Sequence, residues 1–193
     1  MADFGVAGRT KKPLIVGIGC GVKPGSTTEK AVKIALAEAE SAGAQTFFFG
    51  AETIMSLPIY LTEGSLTCPR VLDLIETIQS ADGLILASPG YHGTISGAMK
   101  NAIDYIQETA GSQRPYLTDM PVGLIGIAGG HQAAMSTLVT LRCIVHALRG
   151  WPTPFGVALN SQENNITNGD DKAVQQLRLI GRQVMSFFKL LNC

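Results

Sequence analysis

The chain has 193 residues, of which 46% are hydrophobic and 16% charged; that is the size of one domain, and too apolar for a disordered chain. Lys plus Arg total 15 and Asp plus Glu total 15, so the formal charge is zero and the electrostatic footprint of a nucleic-acid or anionic-membrane binder is missing. No run approaches the ~18 apolar residues of a membrane span, and the opening stretch MADFGVAGRTKK holds no apolar segment of a secretory leader.

Leu14 to Ile18 is a short continuous apolar run and predicts a strand buried on both faces. From Lys30 the period changes to helical, with Ala31, Ala35 and Ala39 in line and Gly43 as the stop. Thr46–Phe49 predicts a second strand. The stretch from Gly50 to Pro69 has no clear period and reads as a long loop. Val71 to Ile78 predicts a helix, and Gly83–Ala87 a third buried strand. A glycine-rich loop, Ser88 to Gly97, leads to a helix with Met99, Ala102, Ile103 and Ile106 inward. Val122–Ala128 is the fourth strand, broken by Gly129-Gly130-His131. Met135 to Leu148 reads as helix, Phe155 to Leu159 as an edge strand after prolines, and Asp171 to Leu191 as the last helix.

Strand and helix alternate about five times, the pattern of a parallel sheet between helical layers. Such sheets bind ligands beyond the carboxyl ends of their strands. The expected crevice loops begin at Gly19, Ser88 and Gly129. The first is neither a Walker A loop nor a dinucleotide fingerprint, because position 22 is Val where a third glycine would stand. Ser26, Thr27 and Thr28 open a helix there, and a helix start with free N–H groups suits a phosphate. Ser26-x-x-Glu29 is also a capping-box signature, and the two readings are compatible. In the second loop glycines allow close backbone approach to a flat ligand, Tyr91 is placed to pack beside a ring, and Ser96 is a plausible N-cap; an ordinary strand-to-helix loop has the same composition. In the third, His131 is a base or a ligand-rim residue, with no partner assignable from sequence. Cys20, Cys68, Cys143 and Cys193 show no C-x-x-C pair and no metal spacing with His, as expected for reduced thiols of a cytoplasmic protein without a metal site.

Ser88-Pro-Gly-Tyr-His-Gly-Thr-Ile-Ser-Gly-Ala-Met-Lys-Asn-Ala-Ile-Asp-Tyr105 closely resembles the signature of the NADPH-dependent FMN reductase family. Pro89, Tyr91, Gly97, Lys100, Asn101, Ile103 and Asp104 fall in register with it. The first loop and the Gly129-Gly130 pair match as well, so the resemblance runs from about Leu14 to Phe188. Met99 stands for the usual Leu, Tyr105 for the usual Trp, Cys20 for a frequent Ser, and Lys23 near a frequent Arg.

The resemblance implies a flavodoxin-like three-layer α/β sandwich with a five-stranded parallel sheet, in one domain over 1–193 with 1–12 as a flexible extension. It implies FMN and NADPH (or NADH) as cofactors. Ser26 and Thr28 would hold the FMN phosphate, with Thr27, Cys20 and Lys23 in the same loop. Pro89, Gly90, Tyr91, His92 and Gly93 would lie along the isoalloxazine, with Ser96 following, and Gly129, Gly130 and His131 would meet its pyrimidine side. Lys100 to Tyr105 would support the loop and a subunit contact, in a homodimer or homotetramer. The implied activity is hydride transfer from nicotinamide to FMN and on to an acceptor, possible acceptor enzymes included. A quinone or azo reductase, and a flavodoxin-type electron carrier, are the alternatives. The cofactor carries that chemistry, so no side-chain catalyst is expected. Lys23, Arg114 and Arg142 are the candidate cations for a nicotinamide 2′-phosphate.

Overall fold

The computed structural model describes residues 12–21, 23–163, 166 and 171–190; the expected N-terminal extension, apart from Lys12, lies outside them. The strands are β1 (Leu14–Gly19), β2 (Gln45–Phe49), β3 (Gly83–Tyr91), β4 (Thr94–Ile95), β5 (Pro121–Ala128), β6 (Trp151–Pro152) and β7 (Val157–Asn160). The helices are α1 (Thr27–Ser41), α2 (Ala51–Ile54), α3 (Pro69–Ser80), α4 (Gly97–Asp104), α5 (His131–Ala147) and α6 (Asp171–Leu190), with 3-10 turns at Ser65–Thr67 and Tyr105–Thr109.

The sheet runs β2-β1-β3-β5, all parallel, and β6 and β7 share the fifth position as two parallel pieces beside β5. Continuous apolar runs suit β1, β3 and β5 because helices cover both faces. Ile15, Ile85 and Ile125 pack with residues of α1 and α6 on one face. Val16, Leu84 and Leu124 pack with residues of α3, α4 and α5 on the other. This is the expected flavodoxin-like sandwich. In α6, Leu177, Ile180 and Val184 are fully buried, each stabilising by roughly 1.5–3 kcal/mol. Gly181 lets α6 lie on α1, since a Cβ there would meet Ala35 O at 2.2 Å.

Several elements depart from the sequence reading. The segment 50–69 is not one loop: it holds α2 and a 3-10 turn, and Pro69 already begins α3, a favoured first helical position for proline. The stretch Ser88–Gly97 is mostly strand. β3 continues to Tyr91 and pairs antiparallel with β4, Tyr91 opposite Thr94. His92 (φ 50°) and Gly93 (φ 88°) form the two-residue turn, the arrangement with φ positive at both central positions that hairpins favour. Ser88 Oγ accepts the Ser96 N–H at 3.0 Å and closes the hairpin's base. α5 starts at His131 rather than Met135, because Gly126 admits its first turns against β5; a Cβ there would meet Ala134 O at 2.4 Å. The edge strand is split, and Arg142 donates to Thr153 O (3.2 Å) and Pro154 O (3.1 Å) at the break. Ile106 lies in the 3-10 turn that extends α4.

Candidate functional site

The chain order reverses between β1 and β3, which lie side by side with Gly19 opposite Ala87. A crevice opens at such a switch point, and the ends of β1, β3 and β5 bound it.

At the end of β1, Gly21 passes so close to Ser26 that a Cβ would meet Ser26 Oγ at 2.0 Å. Ser26 is the N-cap of α1, its Oγ accepting the Glu29 N–H at 3.4 Å. The capping-box partner, Glu29, is buried at 4% exposure. Its Oε2 accepts the Gly25 N–H at 2.8 Å, one residue before the cap, and its Oε1 accepts the Ala51 N–H at 2.6 Å. The carboxylate is thus turned into the protein and spends its charge on two backbone donors. Thr27 is half-buried and Thr28 buried at the first turn of the helix, while Lys23 is exposed. The positive end of α1 and these hydroxyls form the kind of place where an anion is stabilised.

Cys20 is buried, and burial first, then the nearby Glu29 charge, pushes its thiol up to about 11. It is a neutral thiol at physiological pH. At the end of β3, Pro89 and Gly90 are half-buried, and Tyr91, His92 and Gly93 are exposed on the hairpin. Ser96 is spent on structure: its Oγ accepts the Met99 N–H at 3.2 Å as the N-cap of α4. At the end of β5, Gly130 is the N-cap of α5, and a Cβ on it would meet nothing within 4 Å. Gly129 lies against Gln162, and His131 Nε2 sits 2.8 Å from Glu163 Oε2, with both side chains largely exposed.

A cavity of about 170 Å³ brings together Cys20, Pro89, Tyr91 and Ser96 with Gly21, Met55, Gly97 and Ala98. Lys23, Ser26, Thr27, Thr28, Gly90, His92, Gly93 and Gly129 to His131 do not line that cavity. Met55, Gly97 and Ala98 were not expected there. Met55 arrives from the aperiodic segment after β2, where no pattern marked it, whereas Gly97 and Ala98 sit inside the family signature and carried no chemistry to signal them. Arg114 and Arg142 do not reach the site: Arg114 donates to Gln79 O at 2.6 Å at the end of α3, and Arg142 holds the edge-strand break. The signature residues Asn101 and Tyr105 do not face the crevice either. Asn101 Nδ2 and Tyr105 Oη both donate to Pro58 O, at 2.8 and 2.9 Å, and Asn101 Oδ1 accepts the Tyr60 N–H at 2.8 Å.

An anion-ready helix start, a small slot walled by Pro89 and Tyr91, and bare glycine backbone at Gly130 suit a flat ligand with an anionic tail. The fold and this crevice define a flavodoxin-type α/β protein. The chain matches the NADPH-dependent FMN reductase family over residues 13–164 and belongs to it. It is 34% identical over 124 residues to an FMN-dependent NADPH-azoreductase of Staphylococcus haemolyticus, a match covering 61% of this chain and 62% of that protein. The chain therefore spans less than two thirds of that curated relative's length. Among solved structures it resembles an NADH:FMN oxidoreductase in its apo form (22% identity, TM-score 0.72, covering 90% of this chain and 89% of that one). It also resembles an NAD(P)H:(acceptor) oxidoreductase from Paracoccus denitrificans (20% identity, TM-score 0.71, covering 93% and 98%). These two likenesses establish the fold.

Proposed function

We propose that the chain is an NAD(P)H-dependent flavin reductase that binds FMN in the crevice and passes reducing equivalents to an acceptor. The carrying observation is the start of α1, where Ser26 caps the helix while Glu29 turns its charge inward onto Gly25 and Ala51. The residues present fit FMN. Thr27 and Thr28 offer hydroxyls beside the N–H groups of the helix start, with Lys23 as the exposed cation of the loop and Cys20 beneath it. Pro89 to Gly93 supplies a wall for the ring, steadied through Ser88 and Ser96. Gly130, where a Cβ would meet nothing within 4 Å, leaves room for a ligand to approach the backbone near the expected pyrimidine edge, beside Gly129 and His131.

FMN held by these residues would supply two-electron redox chemistry between a nicotinamide and an acceptor. The residues contribute placement. Holding two reactants in register removes up to ~7–11 kcal/mol of barrier. NADPH is the favoured donor by family. Arg114 and Arg142 are engaged on backbone carbonyls, so of the three candidate cations Lys23, exposed among the described residues, suits a 2′-phosphate best. Among the described residues no helix is long and apolar enough to cross a membrane; the cytoplasm is the compartment that suits NADPH chemistry. Exposed Leu61, Leu66 and Leu72 support assembly as a homodimer or homotetramer. Anaerobic stopped-flow mixing of the FMN-loaded protein with NADPH tests the reading. Rapid loss of oxidised-flavin absorbance is expected. No loss on a catalytic timescale, with FMN still bound, would leave only an electron carrier.

A further inference from the structure

The turn after β7 is built back over the end of β5. Asn160 lies opposite Ala128 in the sheet, and the Ser161 N–H and Oγ both donate to Ala128 O, at 2.8 and 3.2 Å. The buried Asn160 side chain then accepts the Gln162 N–H at 3.1 Å, and its backbone carbonyl accepts the Glu163 N–H at 3.2 Å. Folded this way, the turn lays Gln162 against Gly129 and brings the Glu163 carboxylate to His131 Nε2 at 2.8 Å. The first turns of α5 also carry the hairpin: a Cβ on Gly90 would meet Thr137 Oγ1 at 2.3 Å and Ala133 O at 3.1 Å. His131 thus has Glu163 as the partner its sequence did not disclose, at the start of the helix that supports the crevice wall.

A carboxylate accepts hydrogen bonds and donates none. In this pair the proton therefore sits on His131 Nε2, and Nδ1 is the nitrogen left to exchange a proton with a bound molecule. The separation is that of a charge-assisted bond, and an imidazole held at one nitrogen by a carboxylate is fixed in tautomer and orientation for proton transfer at the other. Both side chains are open to solvent, at 70% and 62% exposure, so the ring can meet an incoming molecule and recover its proton from water. Tyr91 and His92 are the other proton-bearing side chains on this rim. Among the described residues neither makes a side-chain hydrogen bond that would orient it.

We propose that His131 is the proton donor for the acceptor half of the reaction, and that Glu163 positions it. This rests on the flavin-reductase reading above. Hydride transfer from NADPH to the cofactor consumes no proton, whereas an acceptor that receives the hydride is left with one negative charge in excess. With benzoquinone as the acceptor, NADPH, the quinone and one proton give NADP⁺ and hydroquinone. The hydride ends in one O–H bond of the product. The proton of the other comes from His131, whose Nδ1–H bond breaks as the acceptor oxygen takes the proton, and water returns a proton to Nδ1. An acceptor that takes electrons alone, such as ferricyanide, makes no use of the pair.

The test compares kcat/KM for benzoquinone with kcat/KM for ferricyanide on one FMN-saturated preparation, so that changes in cofactor binding and in reduction by NADPH cancel. His131→Gln is expected to lower the benzoquinone-to-ferricyanide ratio about a hundredfold, the low end of general acid catalysis. Glu163→Gln is expected to lower it about tenfold, the low end for one hydrogen bond to a charged group. Heteronuclear NMR of the imidazole nitrogens in the flavin-free protein, with the ring neutral, should show one tautomer, protonated at Nε2, in the wild type and a mixture in Glu163→Gln. An unchanged ratio in His131→Gln, which proton supply by water would produce, overturns the inference, as does a hundredfold fall in Tyr91→Phe or His92→Gln alone. An unchanged tautomer in Glu163→Gln overturns the positioning role. Wild-type protein whose bound FMN is not bleached by NADPH removes the flavin-reductase reading and the inference with it, whereas bleaching with an unchanged ratio removes the inference alone.

Discussion

Glu29 and Ala51 are 22 positions apart, and the carboxylate of one accepts the backbone N–H of the other at 2.6 Å in the buried interior. The same carboxylate takes the Gly25 N–H. One side chain therefore ties the turn that opens α1 to the segment that walls the crevice with Met55.

Glu29→Ala removes both bonds and leaves the buried Ala51 N–H unpaired, a loss of about 2–4 kcal/mol. Urea unfolding should show it, and FMN affinity should fall with it. Gly50→Ala should reproduce the effect in part, since its Cβ would lie 2.6 Å from Glu29 Oε1. Wild-type stability in Glu29→Ala would show that the bridge is ornamental.

The double substitution Ser26→Ala with Thr28→Ala should weaken FMN binding by roughly one to two orders of magnitude, at ~1.5 kcal/mol for each charge-assisted bond. Ser26→Ala also removes a helix cap, costing ~1 kcal/mol of stability. Isothermal titration at a temperature well below unfolding separates the two effects. Unchanged affinity would take the phosphate away from α1.

Tyr91 stands on the hairpin at 46% exposure, so Tyr91→Ala should reduce turnover with little change in the unfolding midpoint. Parallel losses of activity and stability would make Tyr91 a packing residue.

The Cys20 thiol, raised to about 11 from an ordinary 9.0, is protonated in the fold up to that range. Because the folded value is the higher one, its contribution to stability is fully present below pH 9 and is lost as pH rises from about 9 to about 11. At neutral pH iodoacetamide should label exposed Cys143 and spare Cys20, as read by peptide mass mapping. Comparable labelling of both would contradict the burial.

The sandwich was legible because β1, β3 and β5 are buried on both faces and so appear as unbroken apolar runs. The hairpin was not. Pro89, Gly90 and Gly93 belong to loops by composition, and only the positive φ of His92 beside Gly93 turns them into a paired ribbon. β6 is two residues long, too short to carry a period. In the site, Ser26 and Glu29 were visible as a cap signature, but the reach of Glu29 to Ala51 is a tertiary fact with no local trace. Met55 was hidden for the same reason, in a segment whose order comes from Glu29, Asn101 and Tyr105 rather than from its own pattern. Nor did the signature reveal that Asn101 and Tyr105 both hold Pro58 from within the chain, with Tyr105 fully buried.

The most direct test is an absorption spectrum of the protein mixed with FMN, freed of excess by gel filtration, and recorded without oxygen before and after NADPH. A retained flavin spectrum that collapses on adding NADPH and returns with a quinone is the predicted result. A protein that emerges colourless, or whose flavin bands persist in NADPH, would contradict the assignment.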